Sequence, residues 1–69
     1  LYKDRSKALY WYLKSAKQGH CRSQYFVGYI YENGVECERN IENAIIWYKK
    51  AARQGSELSK KSLENLGSK

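Results

Sequence analysis

Two segments of this chain are copies of one another. Ala8-Leu9-Tyr10-Trp11-Tyr12-Leu13-Lys14-Ser15-Ala16-Lys17-Gln18-Gly19 returns 36 residues later as Ala44-Ile45-Ile46-Trp47-Tyr48-Lys49-Lys50-Ala51-Ala52-Arg53-Gln54-Gly55. Seven positions are identical, and both tryptophans of the protein are among them. A fixed period of this size belongs to stacked arrays, in which each unit closes its neighbour's apolar face. That excludes most compact single-core folds and makes the chain a scaffold before any chemistry is considered.

The spacing within each copy decides the secondary structure. Ala8, Trp11, Tyr12, Ser15 and Ala16 recur at i, i+3, i+4, i+7 and i+8, one face of a helix over residues 5–18. Asp4 has the chemistry of an N-cap and Gly19 that of a C-terminal stop. Gly19-His20 is too short for anything but an antiparallel return. A second helix is expected over residues 21–33, with Ser23, Phe26, Val27, Ile30 and Tyr31 inward. Gly28 sits inside it at a cost of about 1 kcal/mol relative to alanine, which implies a close helix approach. Asn33-Gly34 ends that helix, and Asn40 caps the next in register with Asp4. The third helix, residues 41–54, turns Ile41, Ala44, Ile45, Trp47, Tyr48, Ala51 and Ala52 inward. The fourth, residues 57–66, turns in Ser59, Ser62, Leu63 and Leu66 before an expected frayed end at 67–69. Small residues at 8, 16, 44 and 52 let helices approach while the rings fill the space between. Loss of either Trp11 or Trp47 to alanine is expected to cost ~3–5 kcal/mol.

The pattern A-x-x-W-Y-x-K-A-A-x-x-G resembles the Sel1-like repeat, a relative of the tetratricopeptide repeat. Ala44, Trp47, Tyr48, Lys50, Ala51, Ala52 and Gly55 fit it, and Gln24, Val27, Gly28, Tyr31 and Gly34 fit the family's preceding helix and loop. The resemblance implies an all-α right-handed solenoid of antiparallel helix pairs, four helices here, whose first helices line a concave surface. It implies an adaptor or signalling scaffold that binds proteins, with no catalysis and no cofactor. The chain divides accordingly: residues 1–19 as the second helix of a preceding repeat, 20–55 as a complete repeat, and 56–69 as a capping helix. Opening at Leu1 in mid-repeat is expected of a piece of a longer protein. Departures from the pattern are Ser23 for alanine, Glu36 for the second loop glycine (a different loop path is expected there), Cys37 for valine, Asn40 for the capping aspartate and Asn43 for lysine. Glu64 and Gly67 replace the glycine and tyrosine of the last helix, as suits the end of an array.

Composition narrows the partner. The formal net charge is +6, from 13 Lys and Arg against 7 Asp and Glu. The basic residues are scattered among acids with no run of five or six, the pattern of solvated helix faces. Nucleic acid is therefore not the expected partner, nor is a membrane, since no apolar run approaches the ~20 residues that span one. Cys21 and Cys37 flank a helix that separates them by roughly 15–20 Å, too far for a bridge. Two free thiols point to a reducing, cytoplasmic compartment. One histidine, His20, and two distant cysteines do not make a metal site, and no base stands beside a nucleophile.

The remaining pattern is a stripe on the second helix. Arg22, Tyr25, Tyr29 and Glu32 recur at i, i+3, i+7 and i+10, and the residues 36 positions after Tyr25 and Tyr29 are Lys61 and Asn65. Tyrosine and arginine are enriched in binding hot spots. These six residues are the expected contact surface for a protein or peptide segment. The alternatives are a structural spacer within a larger signalling protein, or a weak electrostatic binder of nucleic acid. Self-association through the open repeat ends is a further expectation.

Overall fold

The computed structural model describes residues 5–35 and 37–67, with side chains from Leu9 onward. Asp4, Glu36 and residues 68–69 lie outside the described residues, so the expected first cap, the altered loop path at Glu36 and the end of the tail do too. The side chain of Ala8 likewise lies outside them. Four helices follow one another: α1 (Arg5–Lys17), α2 (Cys21–Asn33), α3 (Ile41–Arg53) and α4 (Glu57–Gly67). No strand occurs among the described residues. Each helix packs on its chain neighbour, α1 on α2, α2 on α3 and α3 on α4, with the α2–α3 seam the most extensive. The result is an all-α solenoid of antiparallel helix pairs.

The connections are built from the sequence signals. Gly19 (φ 98°) and Gly55 (φ 101°) take left-handed conformations that favour glycine. After α1, the Gly19 amide donates to the Ala16 carbonyl at 3.0 Å and the His20 amide to Ser15 at 3.3 Å. After α3, Gly55 donates to Ala52 at 2.9 Å and Ser56 to Ala51 at 3.2 Å. This is the same paired closure of a helix end, repeated in register. Asn40 caps α3, its side-chain oxygen accepting from the Asn43 amide at 3.0 Å. Gly67 is the last residue of α4 and not part of a frayed tail.

The centre of the molecule is Tyr48, 0% exposed, with Val27, Ala44, Ala51 and Ser59 equally shut away. Tyr48 lies across Gly28: a Cβ on Gly28 would stand 2.7 Å from Cδ1 of the ring and 2.8 Å from Cε1. The close approach expected at Gly28 is therefore an aromatic ring from α3 laid on bare α2 backbone.

The tryptophans differ from expectation. Trp11 is 59% exposed, and its neighbours Tyr10 and Tyr12 are also on the surface. Trp47, its counterpart, is half-buried. The reason is packing: α3 is held between α2 and α4, whereas α1 packs on α2. The full ~3–5 kcal/mol of a core tryptophan does not apply to Trp11. Gln24, not counted among the inward residues, is buried, whereas Phe26 and Tyr31 are half-buried.

Two substitutions test this packing. Gly28→Ala gains about 1 kcal/mol of helix propensity but must displace a fully buried ring at a cost of about 1–3 kcal/mol. The midpoint of a thermal melt followed by circular dichroism should fall, and an unchanged or higher midpoint would contradict the notch. Ser59 buries a hydroxyl that has no hydrogen-bond partner among the described residues. Ser59→Ala removes that group, whose burial costs about 1–3 kcal/mol, and should raise the midpoint. A lower midpoint would show that the hydroxyl is satisfied.

Candidate functional site

The stripe on α2 separates into two parts when its surroundings are in place. Arg22 is exposed and Tyr29 keeps 47% of its surface in solvent. Tyr25 is half-buried, its ring 5.5 Å from that of Phe26 and 5.7 Å from that of Tyr48. Glu32 is turned to structural use. Its carboxylate accepts the Tyr48 hydroxyl at 2.6 Å, and its backbone carbonyl accepts from Arg39 Nε at 2.9 Å. On α4, Lys61 and Asn65 are both exposed.

Burial, then the Glu32 hydrogen bond, hold the Tyr48 phenol protonated well above the usual tyrosine range, while a hydrogen bond with Ser62 works in the opposite direction. The neutral hydroxyl is thus a fixed strut between α2 and α3.

A groove of about 300 Å³ opens at the amino-terminal ends of α2 and α4, lined by Cys21, Arg22, Tyr25, Leu58 and the 54–56 turn. Gln54 in its lining is held by amide hydrogen bonds. Gln54 Nε2 donates to Gly19 O and to Gln24 Oε1, both at 2.9 Å, and Gln24 Nε2 donates to Ala16 O at 3.1 Å. The Cys21 thiol donates to Ala51 O at 3.4 Å. Cys21 and Cys37 are both free thiols.

Leu58 and Cys21 were not among the expected site residues. A signal for Leu58 was present: it stands 36 residues after Arg22, so extending the stripe's register by one turn reaches it. Among the described residues, no three His, Cys, Asp or Glu side chains gather as metal ligands, and no helix is long and apolar enough to cross a membrane.

A second surface lies on α1, where Tyr10, Leu13, Lys14 and Lys17 line a hollow of about 280 Å³. Lys14 Nζ stands 5.3 Å from the centre of the Trp11 ring, and the equivalent pair Lys50 and Trp47 repeats this at 5.7 Å.

The repeat architecture and its closures have a counterpart among known proteins. The Sel1 repeat family matches residues 1–20 and 21–56. The chain belongs to the Sel1 repeat family. It is 43% identical over 42 residues to the chitin synthase regulator SKT5 of Saccharomyces cerevisiae, a match covering 61% of this chain and 6% of that protein. It also superposes on the crystal structure of a Sel1 repeat protein from Oxalobacter formigenes with a TM-score of 0.83 and 37% identity, covering 86% of this chain and 24% of the other. The chain thus spans only a small part of either relative. Sel1 repeats are in general protein-interaction modules of a non-enzymatic scaffold type.

The Tyr48 strut has a pH signature. An unfolded tyrosine ionises near pH 10, whereas the folded Tyr48 stays protonated. Above that point the folded state binds more protons than the unfolded one, so this residue's contribution to stability falls as pH rises. Tyr48→Phe should be less stable than the wild type at about pH 8, and the gap should narrow toward about pH 11 in urea titrations. A gap that stays constant or widens would contradict the assignment.

Proposed function

We propose that this chain is a scaffold module that holds a segment of another protein along the face built by α2 and α4, with Arg22, Tyr25, Tyr29, Lys61 and Asn65 in contact. Glu32, the sixth residue of the expected contact surface, shapes that face through its bond to Tyr48. The observation that carries the reading is Tyr29, a large ring left 47% exposed one turn along the helix from Tyr25. Tyr48 of the same chain, fully enclosed, shows that the fold buries such a ring where packing needs it. Rigid aromatic surface of this kind loses little conformational freedom on binding, which is why it anchors interfaces.

The family's general role and the name of the yeast relative, a regulator of chitin synthase, both fit a protein that works by engaging another protein. Six net positive charges favour a partner segment with acidic groups.

The test is capture of a partner from a nuclease-treated lysate of the source cells by the wild type and by a Tyr29→Ala/Lys61→Glu variant shown to be folded. The expected result is a protein retained by the wild type and weakened by about tenfold or more in the variant. Equal retention would move the surface away from α2 and α4. Loss of all capture with nuclease would give the electrostatic reading instead.

A further inference from the structure

The groove at the amino-terminal ends of α2 and α4 has a chemistry of its own. Among the described residues lining it, Arg22 is the one ionised side chain, and no carboxylate is present. Among the described residues, neither Arg22 nor Lys61, which follows Leu58 by one helical turn on α4, has an ion-pair partner. Glu57, next to Leu58 in the chain, is engaged with Lys60 at 3.7 Å.

The apolar side is equally unprovided for. Leu58 is 61% exposed, the most exposed large apolar side chain of the described structure. It faces the same groove as the Tyr25 ring and the Cys21 side chain. The wall between them is the 54–56 turn, where a side chain placed on Gly55 would meet nothing within 4 Å, so an incoming chain has open access to the backbone.

Volume and rigidity select the occupant. About 300 Å³ is the lower limit of small-molecule sites, which span roughly 300–1,000 Å³. It suits one large side chain and its neighbour better than a cofactor. The Gln54 side chain that lines the groove is tied to Gly19 and Gln24, so little ordering is required there on binding.

We propose that this groove is the anchoring subsite for a partner peptide in which a large apolar side chain sits beside an acidic residue: the apolar group between Leu58 and Tyr25, the carboxylate on Arg22. The inference rests on reading the α2–α4 face as protein-binding and adds the partner's chemistry to it. A carboxylate on an arginine can be met by two parallel hydrogen bonds, which fixes direction as well as charge. Lys61 then favours a second acid farther along the segment.

The experiment pans a phage-displayed library of short random peptides on the 69-residue chain, and selected peptides are remade with a fluorescent label for polarisation titration. Enrichment of peptides that place an acidic residue beside Leu, Ile, Phe or Trp is expected. Their affinity should fall about tenfold or more in Arg22→Glu and in Leu58→Asp, both at exposed positions, and remain unchanged in the α1 control Lys14→Glu. Rising salt should weaken binding to the wild type more than to Arg22→Ala.

Peptides without the acidic–apolar pairing, or binding indifferent to both Arg22→Glu and Leu58→Asp, would overturn the subsite. If those peptides nevertheless lose affinity in Tyr29→Ala, the subsite falls and the protein-binding face stands. If none of the three variants matters, both fall. A concentration-dependent dimer abolished by Leu58→Asp would show a second copy in the groove and would also overturn the proposal.

Discussion

The ring of Tyr48 lying on Gly28 is the contact on which the rest of this structure depends. It allows α3 to approach α2 at the distance of bare backbone, and it buries the largest of the fully enclosed side chains. A buried phenol would carry an unmet hydroxyl, and Glu32 meets it at 2.6 Å. Apolar burial and a charge-assisted hydrogen bond therefore act at one residue, from two helices, in a domain too small to hold a large core.

Around that contact the repeat arranges its polar groups in series. Gln54 ends α3 and reaches back to the turn after α1 and to Gln24 on α2, and Gln24 reaches Ala16 at the end of α1. Three helix ends are tied by two side-chain amides. Glutamine precedes the closing glycine in both copies, as Gln18 and Gln54. Gln54 braces the preceding unit from a position that in α1 is occupied by Gln18.

Much of this was legible in the sequence because it follows from local chemistry. The helix ends at Gly19, Gly34 and Gly55, the cap at Asn40 and the close approach at Gly28 all depend on what a residue type can do with its own backbone. What was not legible depends on neighbours distant in the chain. Trp11 and Trp47 are identical in pattern, yet Trp11 stands on the surface because α1 is packed on α2, whereas α3 lies between two helices. Glu32 fell in the exposed stripe by spacing, and only the position of Tyr48, sixteen residues on, makes it a structural partner. Gln24 has polar chemistry and helical spacing that hide a buried role. The groove combines Arg22 with Leu58, which share a register and lie on different helices.

The same packing that encloses Tyr48 on α3 leaves Arg22 and Tyr29 on α2 and Leu58 on α4 outside, so the core and the proposed binding surface use different residues. Amide hydrogen exchange reads out whether α2 and α3 open as one rigid unit. Amides from Gln24 to Ile30 and from Ala44 to Ala51 should exchange slowest and with a common opening free energy, while those of α1 and α4 open more readily. Independent opening of α2 and α3, or stronger protection in α1 than in either, would contradict it.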